Sequence, residues 1–146
     1  MPISIELPVS DLAWAAGFID GEGTISVYGR SDRINEFRVT IQAVNTKRAA
    51  LEKLQGMFGG TVHDMHRVTP GKNWKPSFYW TLSYEKAAAA IRLLLPFLVI
   101  KRPQAELALE ARAFVGQPGR KRGESQVQSL RAISNRFRAL NLKGKG

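Results

Sequence analysis

The sequence predicts an α+β domain in the order helix, two strands, helix, two strands, helices. Three observations carry this. Alternation of apolar and polar residues marks half-buried strands. Apolar residues three and four apart mark helices before, between and after them. And 146 residues, 44% of them apolar, suffice for one core but not two.

Ser10 or Asp11 is placed to cap a first helix that runs to about Gly21, with Gly23 as its stop. Thr24 to Arg30 then alternates, with Ile25 and Val27 apolar, and Glu36 to Gln42 does the same with Phe37, Val39 and Ile41. A polar turn through Ser31 to Asn35 joins these two strands. A second helix starts at Asn45 or Thr46, carries Leu51, Leu54 and Phe58 on one face, and ends at Gly59-Gly60. A third strand, Thr61 to Val68, and a fourth, Ser77 to Ser83, flank a loop with Pro70, Gly71 and Pro76. Ser83 is placed to cap a third helix ending before Pro96. A fourth helix begins near Pro103, a favoured first-turn residue, and stops at Gly116.

The run GQPGRKRGE reads as a linker. Beyond it Ser125 and Gln128 resemble a capping box, and Val127, Leu130, Ile133, Phe137 and Leu140 form one helical stripe, so the tail is expected to dock. The organisation is thus a core over 1–115 and a basic appendix over 116–146, docked on the core or contacting a partner. Trp14, Trp80 and Phe97 read as core. Trp74, between Lys72 and Lys75, reads either as a nucleic-acid contact or as surface packing.

Composition excludes several classes. There is no cysteine, so disulfide scaffolds, zinc fingers and thiol catalysis are out. His63 and His66 are the only histidines and fall on opposite faces of a strand, which disfavours a histidine metal site. The longest apolar run, Ile91 to Ile100, is broken by Arg92 and Pro96 and is too short for a membrane span. The N-terminus lacks the basic and apolar regions of a signal peptide, so an intracellular chain is expected. Twenty-two basic residues against 12 acids give a net charge of +10. A folded chain this basic points to a polyanion, most often nucleic acid. The excess is uneven: residues 116–146 carry +7, the first 115 only +3.

The stretch Ala13 to Gly23, AWAAGFIDGEG, has two odd features. Asp20 and Glu22 sit at a helix C-terminus, where the macrodipole disfavours anions by roughly 0.3–1 kcal/mol each. Ala13, Gly17 and Gly21 recur every four residues and bare one side of the helix, which lets another backbone approach. A divalent cation is one reason to place acids there; solvated turn residues are the other reading.

Ala15 to Gly23, AAGFIDGEG, resembles the signature of the LAGLIDADG homing endonucleases, with Ala15 and Gly21 its looser positions. Pro96-Phe97-Leu98, Lys101 and Gln104-Ala105 resemble the segment carrying that family's active-site lysine. The likeness spans about residues 10–115. It implies an αββαββα core with a four-stranded antiparallel, saddle-like sheet and helices on one face. It implies Glu22 and the Gly21 carbonyl as ligands of Mg²⁺, with Mn²⁺ as a substitute, and Asp20 as a structural acid. Gln42 would position water and Lys101 would stabilise charge at the phosphate or polarise the nucleophilic water, with Lys47 or Arg48 a looser second basic group. With one motif per chain the resemblance implies a homodimer joined along Ala13, Ala16, Gly17, Asp20 and Gly21. Its expected partner is double-stranded DNA at a long pseudo-palindromic site, cut to leave 3′ overhangs.

The polar strand faces suit such a partner: Thr24, Ser26, Tyr28 and Arg30; Glu36, Arg38, Thr40 and Gln42; Thr61, His63, Met65 and Arg67; Ser77, Tyr79 and Thr81. Side chains of this kind can read base edges in the major groove; a solvated sheet face is the plainer alternative. Two rivals stand beside this reading: an intron RNA maturase or cleavage-dead relative, and a basic RNA-binding protein with a chance motif. No small-molecule substrate is expected.

Overall fold

The computed structural model describes residues 6–30, 33–65, 76–115 and 124–143. The elements follow in the expected order: α1 (Val9–Glu22), β1 (Gly23–Arg30), β2 (Arg33–Asn45), α2 (Arg48–Phe58), β3 (Thr61–Met65), β4 (Ser77–Ser83), α3 (Tyr84–Leu94), a 3₁₀ turn (Leu95–Phe97), α4 (Arg102–Val115) and α5 (Glu124–Lys143). The four strands form one antiparallel sheet in the order β1-β2-β4-β3. The fold is α+β.

Alternation decides which face of the sheet is covered. Ile25, Val27, Val39, Ile41, Ala43, Trp80 and Leu82 point into one core with Leu12, Ala15, Ala16 and Ile19 of α1, Leu51 and Leu54 of α2, and Ala87, Ala90, Ile91 and Leu94 of α3. Trp80 is fully buried and its indole N–H donates to the Gly59 carbonyl at 2.8 Å. Burying a side chain of that size contributes roughly 2–3 kcal/mol. The bond also holds the α2–β3 turn, where Gly59 and Gly60 have φ of 83° and 89°. A Cβ on Gly60 would stand 2.5 Å from the Thr81 carbonyl oxygen, so that turn demands glycine.

Several boundaries differ from expectation. α1 starts at Val9 with Pro8 as its N-cap, so Ser10 and Asp11 lie inside the helix and do not cap it. Ser83 and Lys47 occupy N-cap positions without side-chain capping bonds. Gly23 does follow α1, but as extended backbone with φ −101°. It must be glycine because a Cβ would meet three Ile19 atoms at 2.9 Å. β2 runs three residues beyond Gln42. His66, Arg67, Trp74, Lys72, Lys75 and most of the 116–124 linker fall outside the described residues.

α5 docks, as its apolar stripe predicts: Ile133 and Phe137 are buried in the common core and Leu140 packs against it. The helix packs against α4 and β1. Among the described residues, no helix is long and apolar enough to cross a membrane.

Candidate active site

Asp20 and Glu22 share the last turn of α1 but not its environment. The Asp20 carboxylate accepts three consecutive backbone N–H groups, from Val99 (2.9 Å), Ile100 (3.1 Å) and Lys101 (2.9 Å). The Lys101 carbonyl in turn accepts the Ala105 N–H, so this turn feeds directly into α4. An acid disfavoured at the end of one helix is therefore held by three direct N–H bonds from the turn just before the next. This explains Asp20 without a cation. It also ties the Lys101 backbone to the turn that carries Glu22. Glu22 is exposed, and no such set of donors meets its carboxylate among the described residues.

The outward side of α1 is bare. Ala13, Gly17 and Gly21 are exposed, and a Cβ built on Gly17 or Gly21 meets nothing within 4 Å. Ala16 does not belong to this side. It is fully buried in the chain's own core, because position 16 turns inward with Ala15 and Ile19. Val99 and Ile100, which Asp20 holds against this helix end, are 78% and 64% exposed.

The polar face of the sheet is ordered in rows. Directly opposed residues put Thr24, Gln42, Thr81 and Thr61 side by side across all four strands. The next row is Ser26, Thr40 and Ser83, then Tyr28 with Arg38. Exposure separates them. Thr24, Arg38, Thr61 and His63 are exposed, and Gln42, Ser77, Tyr79 and Thr81 half-buried. Ser26 and Thr40 are only 8% and 2% exposed, and the Thr40 Oγ1 has no partner among the described residues. Both hydroxyl side chains are buried, so they drop out of the accessible reading surface expected above. His63 stacks on Tyr79 with ring centroids 4.8 Å apart, and its Nε2 shares a 2.8 Å hydrogen bond with the Thr61 hydroxyl.

Gln42 lies in mid-strand opposite Thr24. The ladder to β1 stops at Gly23 and Ala43, so Val44 and Asn45 run on past the point where β1 turns into α1. Asn45 is a polar residue at that end which the alternation pattern assigned to the start of α2; its Oδ1 accepts the Lys47 N–H at 2.8 Å. Of the looser basic candidates, Arg48 is engaged elsewhere. It pairs with Glu52 (2.9 Å) and Asp64 (3.2 Å) and sits over the Phe78 ring.

Neither a protein-family model nor a curated protein matches the sequence. Solved structures do. A crystal structure of the homing endonuclease I-CvuI in complex with its target, in the presence of calcium, matches with a TM-score of 0.70 at 24% identity, covering 91% of this chain and 85% of that one. The archaeal intron-encoded homing endonuclease I-Vdi141I, complexed with DNA, matches with a TM-score of 0.67 at 14% identity, covering 90% and 84%. The LAGLIDADG meganuclease I-CpaMI, bound to uncleaved DNA, matches at 0.65 and 15% identity.

This chain has the LAGLIDADG homing endonuclease fold.

Within that fold, the motif helix is α1 and the lysine-bearing segment is the turn into α4, the two pieces that Asp20 joins. The match covers 84% of this chain but only 42% of I-CpaMI, so one copy here corresponds to about half of that longer chain. Glu22 and the last-turn carbonyls, Gly21 among them, are hard oxygen donors suited to Mg²⁺ or a similar cation. One chain brings only part of a ligand set: among the described residues no three metal-binding side chains come together.

Proposed function

We propose that this chain is a homodimeric, divalent-metal-dependent, site-specific endonuclease of double-stranded DNA. One observation carries the reading. Glu22 is exposed at the end of a helix side, Ala13–Gly17–Gly21, that contributes nothing to its own core. Each glycine in a helix interior costs about 1 kcal/mol relative to alanine. Among the described residues no contact calls for Gly17 or Gly21, so their use lies in something that approaches from outside. A second copy packed along that side, with Val99 and Ile100 extending the seam, would bring two Glu22 carboxylates together near a twofold axis. The DNA complexes of I-CvuI and I-Vdi141I support the partner, and the coverage of I-CpaMI supports two units per enzyme.

In this reading Glu22 and the Gly21 carbonyl would hold Mg²⁺, with Mn²⁺ as a substitute. Such an ion supplies charge neutralisation at the phosphate and lowers the pKa of bound water. Lys101 faces the charge that develops on the phosphate, and Gln42 orients the attacking water. The exposed side chains of the sheet's polar face, Thr24, Arg38, Thr61 and His63 among them, lie in the major groove, with Tyr28 and Arg30 of β1, and Arg67, as further candidates. Twofold symmetry then predicts a pseudo-palindromic site. Cleavage across the minor groove leaves 3′ overhangs.

The deciding experiment incubates wild type and Glu22→Gln with a large random DNA library in Mg²⁺ and sequences the ends. One pseudo-palindromic consensus, cut by wild type alone, is the expected outcome. Sequence-enriched binding without cuts would replace the enzyme by a binding relative; no enrichment on DNA would favour an RNA-binding protein. On the recovered site, Lys101→Ala and Gln42→Ala are expected to slow cleavage more than they weaken binding, and equal losses would assign them a positioning role.

A further inference from the structure

Among the described residues, Val44 is the one exposed large apolar residue that belongs to the sheet; the others lie in helices and in the turn before α4. It is 38% exposed, whereas Ile41 and Ala43 on the same strand are buried. Register fixes its face. Ala43 is opposed to Trp80 in the core, so Val44, opposed to Tyr79, points to the other, polar side, two residues on from Gln42. Tyr79 is in turn opposed to His63. The row across three strands is therefore Val44, Tyr79 and His63, the last two with stacked rings. On its other side Val44 has no strand neighbour, because the ladder to β1 ends at Gly23 and Ala43.

Single exposed apolar side chains are common on protein surfaces. This one stands on a face whose other exposed groups include the hydroxyls of Thr24 and Thr61, the Arg38 guanidinium and the His63 imidazole. Such groups match the hydrogen-bonding edges of bases. One feature of the major groove offers them nothing to bond, the C5-methyl group of thymine, and an aliphatic side chain reads it by burial. Enclosing one methyl group is worth about a fourfold change in affinity. Val44 has that chemistry, points from the polar face, and is open on its β1 side, where a base edge can approach. Its β-branched side chain is stiff, so little freedom is lost on contact. It also lies at the end of the sheet where β1 meets α1, one residue past the Gly23–Ala43 pair. The base pair it meets therefore belongs to the part of each half-site nearer Glu22 and the cut.

We infer that Val44 is a specificity residue that reads the C5-methyl group of a thymine in the major groove. This rests on the DNA-binding reading above. The test uses the full-length protein and the consensus site recovered by the selection, with each thymine in turn replaced by deoxyuridine, which removes only the methyl group. Wild type is expected to bind about three- to fivefold more weakly when one particular thymine of a half-site, on the side nearer the cut, is replaced. Val44→Ala should bind the unmodified site more weakly by a similar factor and no longer distinguish thymine from deoxyuridine there. Its Tm should stay close to that of wild type, because the side chain is exposed. Val44→Ile should keep the discrimination. Cytosine and 5-methylcytosine at the same position isolate the methyl group from the rest of the base: wild type should favour the methylated form, and Val44→Ala neither. A wild type indifferent to deoxyuridine at every thymine would overturn the inference. So would a methyl preference that survives in Val44→Ala. A wild type that selects no duplex consensus at all would bring down the DNA-binding reading, and this inference with it.

Discussion

The two sides of α1 are made of nearly the same residues and serve different ends. Inward, Leu12, Ala15, Ala16 and Ile19 are buried and Asp20 is bound to three backbone donors. Outward, Ala13, Gly17, Gly21 and Glu22 are exposed, with open space where side chains would be. Small residues on the inward side let the helix sit close on its own sheet. On the outward side the same smallness is unexplained by the single chain. A carboxylate two residues from another can thus be a structural clamp while its neighbour stays available for chemistry.

The largest expected effect tests the outward side. Glu22→Gln should abolish Mg²⁺-dependent cleavage, a loss of at least about a hundredfold, with DNA affinity and Tm little changed. Retained cleavage would remove Glu22 from the metal site. Gly17→Glu comes next. A Cβ at this position meets nothing within 4 Å among the described residues and helix propensity improves, so the monomer should still fold, with Tm falling only by what dimerisation contributes. Light scattering should then report a monomer that no longer cuts; a dimeric, active variant would sink the seam.

Asp20→Ala tests the inward side. It strands three N–H groups and should destabilise the fold by about 2 kcal/mol, read by chemical denaturation. Cleavage should fall as well, since the Lys101 backbone loses its tether. A variant as stable as wild type would show the clamp to be dispensable.

The smallest effect is a control on the exposed α3–α4 ion pair. Arg112 bonds to Glu85, and the charges of Arg112 and Arg92 add to that bond, holding the Glu85 carboxyl below its ordinary carboxylate value. A depressed folded-state pKa contributes stability above the unfolded value and loses it as pH falls through the lowered one. The pair is solvent-exposed, so Glu85→Gln should lower Tm slightly at neutral pH. The difference should vanish in acid, with cleavage unaffected throughout; a persistent difference in acid would assign it to packing.

Much of this was legible beforehand because it is local. β4 falls on Ser77–Ser83 as its alternation predicts, and α2 ends at Gly59-Gly60 because only glycine fits those backbone angles. Helix starts were less legible. Ser10, Asp11 and Ser83 are all good capping residues, yet none of their side chains caps, since the chain's path fixes where the first turn begins. The motif marked Glu22 and Gly21 as candidates, and the second resemblance marked Lys101. It could not say that Asp20 joins the motif helix to the lysine turn, a contact across some 80 residues. Nor could alternation distinguish Thr24, exposed, from Ser26 and Thr40, buried on the same face.

The sequence by itself determined the element order, the sheet's two chemistries and the basic balance, because periodicity and charge act between near neighbours. Tertiary structure alone decided which alanines of α1 are core and which are bare, and which acid is already satisfied. Those depend on what other segments bring alongside, and burial and hydrogen-bond satisfaction are properties of the assembled fold.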